Sequence, residues 1–316
     1  MSVSRLLFVT LLLLATGVVG ATDAWFEKIS SAVRTTNYSG VLVYSHGEQM
    51  SSTRIFHRYA DGKEQERVIA LTGEPMEIHR NDDMVSCVLP AKQAVMIDQR
   101  GYKGALPPIA RIAAAELEKH YLVSEMPQSR VVGRQCRAYS VMPRDEYRYG
   151  YRMWVDEQTM LPLKIELLDT QGNTLEKVMF TEVQYPEDIP DTAFEPDMDV
   201  SGFKKVRHSM PDSQQRPVKW QVSKLPPGFS VMTHQVQMMP EVDGAVEHLL
   251  FSDGLATVSA FITMEKPKTD GFIGPASMGA VNVYSDMRDG HQITVVGEVP
   301  EMTIDFISRH LIPSAP

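Results

Sequence analysis

Apolar and polar residues alternate along most of this chain with a period of two, and in three places the period lengthens to that of a helix. In DAWFEKISSAVRTT, Trp25 or Phe26, Ile29 and Val33 fall at helical spacing, which predicts an amphipathic helix over 23–36. YSGVLVYS, STRIFHRY, ERVIAL, MEIHR, MVSCVL and QAVMID follow as short strands parted by the turn sequences HGEQ, DGKE, TGEP, NDD and PAK, the pattern of a meander. LPPIARIAAAELEKHY opens on prolines suited to a helix start and puts Ile109, Ile112, Ala113 and Leu117 on one face, so a second helix is expected against the same sheet.

Strands resume with YLVSE and RAYSVMP, then with two hairpins joined by DEQTM and DTQGN and closed by EKVMFTEV. By the two-residue period, Tyr147, Tyr149, Tyr151, Met153 and Val155 share one face, and Leu161, Leu163, Ile165 and Leu167 face the same way on the next strand. The simplest cover for so wide an apolar surface is a long, curved antiparallel sheet with both helices on its concave side. That surface has two readings, a plain sheet core or the wall of an apolar ligand cavity, and the pattern leaves both open.

From Pro186 the pattern breaks. Acidic residues come first, then Lys204, Lys205, Arg207 and His208, then a polar Ser-Gln-Gln stretch, and 201–217 reads as a linker between a first domain over 22–200 and a second over 218–316. In the second domain, strands turn at Asp253-Gly254 and Asp289-Gly290, and PEMTIDFISRHL closes the chain as a short helix with Ile304, Ile307 and Leu311 on one face. The domain reads as small and α+β.

Residues 1–21 carry Arg5, an apolar run from Leu6 to Val19 and small residues up to Ala21, a secretory leader cut after Ala21. The run is short of the roughly 20 residues a spanning helix needs. The remainder is expected to be soluble in an extracytoplasmic compartment. A net charge of −9 argues against nucleic acid as the main partner. In an oxidising compartment Cys87 and Cys136 can close a disulfide worth about 3–4 kcal/mol in the chain-entropy model, the alternative being two separate buried thiols. Among nine histidines none stands at a metal-ligand spacing, and no nucleophile elbow, phosphate loop or dinucleotide turn is present, so neither an enzyme nor a cofactor is expected.

RYGYRMWVDEQTMLPLKIELLDTQGNTLE followed by IPDTAFEP resembles the large domain of the RseB/MucB family of periplasmic regulators, and LPPGF, FSDGLATVSAFI and ITVVGEVP resemble its small domain, in the same order. The resemblance implies a large domain of the lipoprotein-carrier (LolA/LolB-like) type, an unclosed antiparallel β-barrel wrapped on helices, followed by a smaller α+β domain. It implies binding to the periplasmic segment of a membrane-spanning anti-sigma factor, which is shielded from site-1 proteolysis, with lipid or lipopolysaccharide loosening the grip. The rival class is a periplasmic carrier of lipid or lipoprotein. On this reading Val41, Phe56, Tyr147, Tyr149, Tyr151, Met153, Leu163 and Ile165 are candidates for a lipid cavity. Phe229, Phe251 and Leu255, with Lys204, Lys205 and Arg207, are candidates for the anti-sigma site, against the alternatives of core and solvated linker. Edge strands and an open barrel would give a homodimer a route.

Overall fold

The structure, a computed structural model, describes residues 19–82, 84–98, 104–208, 217–239, 244–264 and 272–314. Most of the leader expected over 1–21 lies outside them. Helix α1 (Val19–Thr35) buries Phe26, Ile29, Ala32 and Val33 along one stripe, as the spacing predicts. No helix among the described residues is long and apolar enough to cross a membrane.

The meander is β1 (Tyr38–His46), β2 (Gln49–Ala60), β3 (Lys63–Ala70), β4 (Glu77–Asn81), β5 (Met84–Leu89) and β6 (Ala94–Asp98). Asp61 and Gly62, both at positive φ, make the tight β2–β3 turn with the twist a two-residue hairpin needs. The helix expected over 106–121 is not continuous. A single 3₁₀ turn at Pro108–Ala110 and helix α2 (Ala114–His120) are separated by an extended Ala113. Tertiary partners explain the break, since the Arg111 carbonyl accepts the Ser30 hydroxyl and the Arg111 guanidinium is drawn to Glu64. Ala114 takes the buried place expected of Ala113, which is exposed.

Five more strands follow: β7 (Tyr121–Val131), β8 (Arg134–Pro143), β9 (Gly150–Asp156), β10 (Pro162–Leu168) and β11 (Thr174–Gln184). A sixth, β12 (Lys204–His208), falls inside the stretch read as linker and pairs parallel to β6. The result is one unclosed sheet of 12 strands in the order β12-β6-β5-β4-β3-β2-β1-β11-β10-β9-β8-β7. Register aligns Met153 with Ile165 and Tyr151 with Leu167, and these residues share a core with Phe26, Ile29, Ile109 and Leu117 from the helical segments. The acidic stretch before β12 is pinned along the sheet, Asp191 by Arg58 and Asp197 by Arg67.

The small domain contains β13 (Trp220–Val222), β14 (Ser230–Met239), β15 (Gly244–Ser252), β16 (Thr257–Thr263), β17 (Gly274–Met278), β18 (Val281–Arg288), β19 (His291–Gly297), helix α3 (Glu301–His310) and β20 (Leu311–Pro313). Six of these strands form a sheet in the order β14-β15-β16-β19-β18-β17, and β13 pairs with β20. Ile304 and Ile307 of α3 cover Phe251, Val258, Ile293 and Val295. The two turns expected at Asp253-Gly254 and Asp289-Gly290 are both present, with Gly254 and Gly290 at positive φ.

The Cys87–Cys136 disulfide is not formed, and both thiols are free. Cys87 lies on β5 and Cys136 on β8, strands that are not neighbours in the sheet. Burial pushes the Cys136 thiol up to about 11, where it is a poor nucleophile.

Candidate functional site

The aromatic strand divides its residues between two tasks. Met153, Leu163 and Ile165 fill the large-domain core, while Tyr151 and Ile165 also face a cavity of about 260 Å³ with Leu106, Pro107, Leu167 and Val178. Val41 and Phe56 do not belong to this wall. They alternate with the fully buried Leu42 and Ile55, and the two-residue period turns them to the opposite face of the sheet.

Tyr147 and Tyr149 also depart from the expected wall and reach the small domain. Tyr147 precedes β9, in a run of bends, and packs edge-on against Phe306 of α3 at 5.5 Å while its carbonyl accepts the Thr303 hydroxyl at 2.9 Å. The Tyr149 hydroxyl accepts a hydrogen bond from Asn282 of β18 at 2.9 Å.

Between them sits Arg148, whose side chain is fully buried. Its Nε donates to Asp253 at 2.5 Å, one terminal nitrogen donates to Asp145, and the other to the carbonyl of Pro227. The ring of Phe229 lies 5.1 Å from the guanidinium carbon. A planar fork with five donors suits three acceptors in different directions, and each acceptor offsets part of the cost of burying the charge. Gly228, at φ 82°, lies so close that an added Cβ would fall 2.3 Å from the His120 ring and 2.7 Å from Arg148. Gly279, at φ 67°, meets His46 of β1 in the same way, at 2.5 Å. Leu255 and Ala280 of the small domain enter the large-domain core. The two domains therefore meet in a packed joint centred on Arg148.

Phe229, Phe251 and Leu255, expected as partner contacts, are consumed by this packing. Phe251 is core of the small domain, and Phe229 and Leu255 face the joint. Their positions beside turns suggested exposure, but the turns are where the domains touch. Lys204 and Lys205 are exposed on the edge strand β12, which also carries Arg207, and the structure does not bring them together with the aromatic trio.

Arg148 was not distinguishable in sequence from the other polar residues of its strand. Its principal partner, Asp253, lies 105 residues away, beyond any local spacing signal. Another buried ionic cluster is equally non-local: Glu64 accepts from Arg80 and from Arg111 at 2.6 Å, and lies 3.0 Å from the ring of His57. Burial raises the Glu64 carboxyl, but the hydrogen bonds from His57, Arg80 and Arg111 outweigh it and hold that group well below the usual carboxylate range. Among the described residues no group of three or more His, Cys, Asp or Glu could hold a metal ion.

A second depression crosses the joint. It measures about 490 Å³ and is lined by Met142, Asp145, Glu146 and Asp169 of the large domain and by Glu301 and Met302 of α3. Its surface offers carboxylates and thioethers together.

Two family models match the chain, the MucB/RseB N-terminal domain over residues 21–198 and the MucB/RseB C-terminal domain over residues 214–311. The chain is 29% identical over 308 residues to the sigma factor AlgU regulatory protein MucB of Pseudomonas aeruginosa, covering 95% of this chain and 93% of that protein. To the sigma-E factor regulatory protein RseB of Escherichia coli K12 it is 24% identical over 297 residues, covering 92% and 90%. Among solved structures it is similar to MucB in complex with MucA(peri), with a TM-score of 0.73 and 27% identity over 93% of this chain and 100% of that one. The Pseudomonas aeruginosa MucA/MucB complex gives 0.74 over 94% and 100%, and MucB alone gives 0.65 over 93% and 98%. With both domain models matched in order across nearly the whole described chain, this protein belongs to the MucB/RseB family of sigma factor regulatory proteins.

Proposed function

We propose that this protein is a non-enzymatic periplasmic regulator that binds the periplasmic segment of a membrane-spanning anti-sigma factor. Binding shields that segment from the protease that would begin its destruction, and the envelope-stress sigma factor stays sequestered. The observation that carries this reading is the likeness, through both domains, to MucB bound to MucA(peri). The depression of about 490 Å³ supports the reading chemically, because an extended segment laid across it would touch both domains at once. Its carboxylates favour a segment carrying basic residues, and its methionines adapt to apolar ones.

Lipid enters as the opposing ligand. The cavity of about 260 Å³, walled mainly by the large domain, sets Leu106, Tyr151, Ile165, Leu167 and Val178 beside the charged Glu176, Lys177 and Glu298, and an acyl chain laid on its apolar part gains roughly 0.8 kcal/mol for each CH₂ removed from water. On this reading the large domain is a lipoprotein-carrier-type barrel turned to sensing, and the first 21 residues are a cleaved leader that delivers it.

Calorimetric titration of the mature chain with the anti-sigma segment, alone and with lipopolysaccharide or fatty acid, tests both halves. Saturable binding is expected, weakened by lipid, and Glu146→Lys in the depression is expected to weaken it about tenfold. Lipid capture with no binding of the segment would instead identify a carrier.

A further inference from the structure

The small domain reaches into the 260 Å³ cavity through Glu298, in the link between β19 and α3. Opposite it stands Glu176 of β11. Glu176 shares a sheet face with Val178 and is the cross-strand partner of Leu167, and both of these also line the cavity. The joint therefore brings a carboxyl group from each domain to the same partly apolar space.

The surroundings decide what such a pair can do. Burial, reinforced by the neighbouring Glu176, raises the phenol of Tyr44 on β1 and keeps it neutral beside that carboxyl. Tyr151 of β9 and Tyr149 just before it are neutral phenols held protonated by burial. Lys177 also lines the cavity, from a register position level with Glu166. His46, the cross-strand neighbour of Glu176 on β1, packs on Gly279 of the small domain. Two ionised carboxylates in such a space repel one another and each loses hydration, so the arrangement is comfortable only while the pair keeps a proton.

We propose that Glu176 and Glu298 form a proton-sensitive clasp between the two domains, closed while the pair holds a proton and biased to open when it is lost. This goes beyond the regulator reading and does not depend on the identity of any partner. Burial, reinforced by the charge of Glu176, pushes the Glu298 carboxyl up to about 7 from its ordinary 4.5. A carboxyl raised in the closed state binds more protons there than in the open state. The closed state is thus fully favoured below about 4.5, loses that preference as pH rises towards 7, and gains nothing further above it. Over that window the opening constant grows on the order of a hundredfold. His120, against Gly228 across the joint, acts with the opposite sign, since burial and Arg148 lower its pKa and its protonation favours opening as pH falls.

The test is the opening constant of the mature chain between pH 5 and 8. It is read from the interdomain distance distribution of dyes at Thr181→Cys and Arg309→Cys, with Cys87→Ser removing the half-exposed thiol. The unmodified clasp is expected to show a rise on the order of a hundredfold. Glu298→Gln should abolish most of it, and His46→Asn should leave it in place. Glu176→Gln should reduce it and move it to lower pH without removing it, because burial of Glu298 persists. A full pH response in Glu298→Gln, its loss in His46→Asn, or no response in the parent chain overturns the proposal. Should Glu298→Gln fail to fold, an unchanged response in Glu176→Gln overturns it alone.

Discussion

Arg148 concentrates the energetics of the domain joint in one side chain. Removing a buried cation leaves its partners unpaired, and here Asp253 is itself almost fully buried. Arg148→Met is therefore predicted to destabilise the protein by about 3–5 kcal/mol in urea denaturation, despite a similar volume. Arg148→Lys should recover only part of this, because a point-like ammonium cannot serve Asp253, Asp145 and the Pro227 carbonyl in their separate directions. If Arg148→Met unfolds at the parent concentration of urea, the latch carries no weight. At this scale the sequence was least informative. The period of two turned Tyr151 and Ile165 correctly to the inside, but could not say that Tyr149 and Tyr147, two and four residues before Tyr151, leave the strand for another domain. It misplaced Val41 and Phe56 because both neighbouring faces of β1 and β2 carry apolar residues, and only the register fixes which one is in.

At the scale of elements, the meander and hairpins were legible because each strand carries its own alternation and nearly every turn its own Asp, Asn, Gly or Pro. What was lost depends on contacts far along the chain. The break at Arg111–Ala113 is imposed by Ser30 and Glu64, and β12 exists because β6 offers it an edge. Glu64 shows how such contacts bind elements together, since one carboxylate on β3 joins His57 of β2, Arg80 of β4 and the segment ahead of α2. Its pKa is depressed in the folded chain, so its contribution is complete above the ordinary 4.5 and is lost as pH falls below that value. The large domain should accordingly melt at lower temperature at pH 3.5 than at pH 6. Glu64→Gln should lower the melting temperature at pH 6 by on the order of 5 °C and flatten this acid dependence. An acid dependence of the same steepness in the variant would place the sensitive groups elsewhere.

For the whole molecule, the joint matters because it would make the two proposed ligands answerable to one arrangement. On the proposed reading, a partner laid across the depression would hold the domains as they stand, and an acyl chain in the cavity behind Glu298 would press on the same contact from inside. Each shifts the equilibrium only by its differential affinity for the closed and open states. The coupling is then reciprocal: if lipid weakens the anti-sigma segment tenfold, the segment must weaken lipid tenfold, about 1.4 kcal/mol seen from either side. Two titrations on the same protein measure the two factors, using monomeric fatty acid below its micellar concentration. Equal factors, both reduced in Glu298→Gln at pH 8 where the wild-type clasp is charged, would place the coupling in the joint. A lipid effect on the segment with no return effect would mean that lipid acts on the segment itself rather than through this protein.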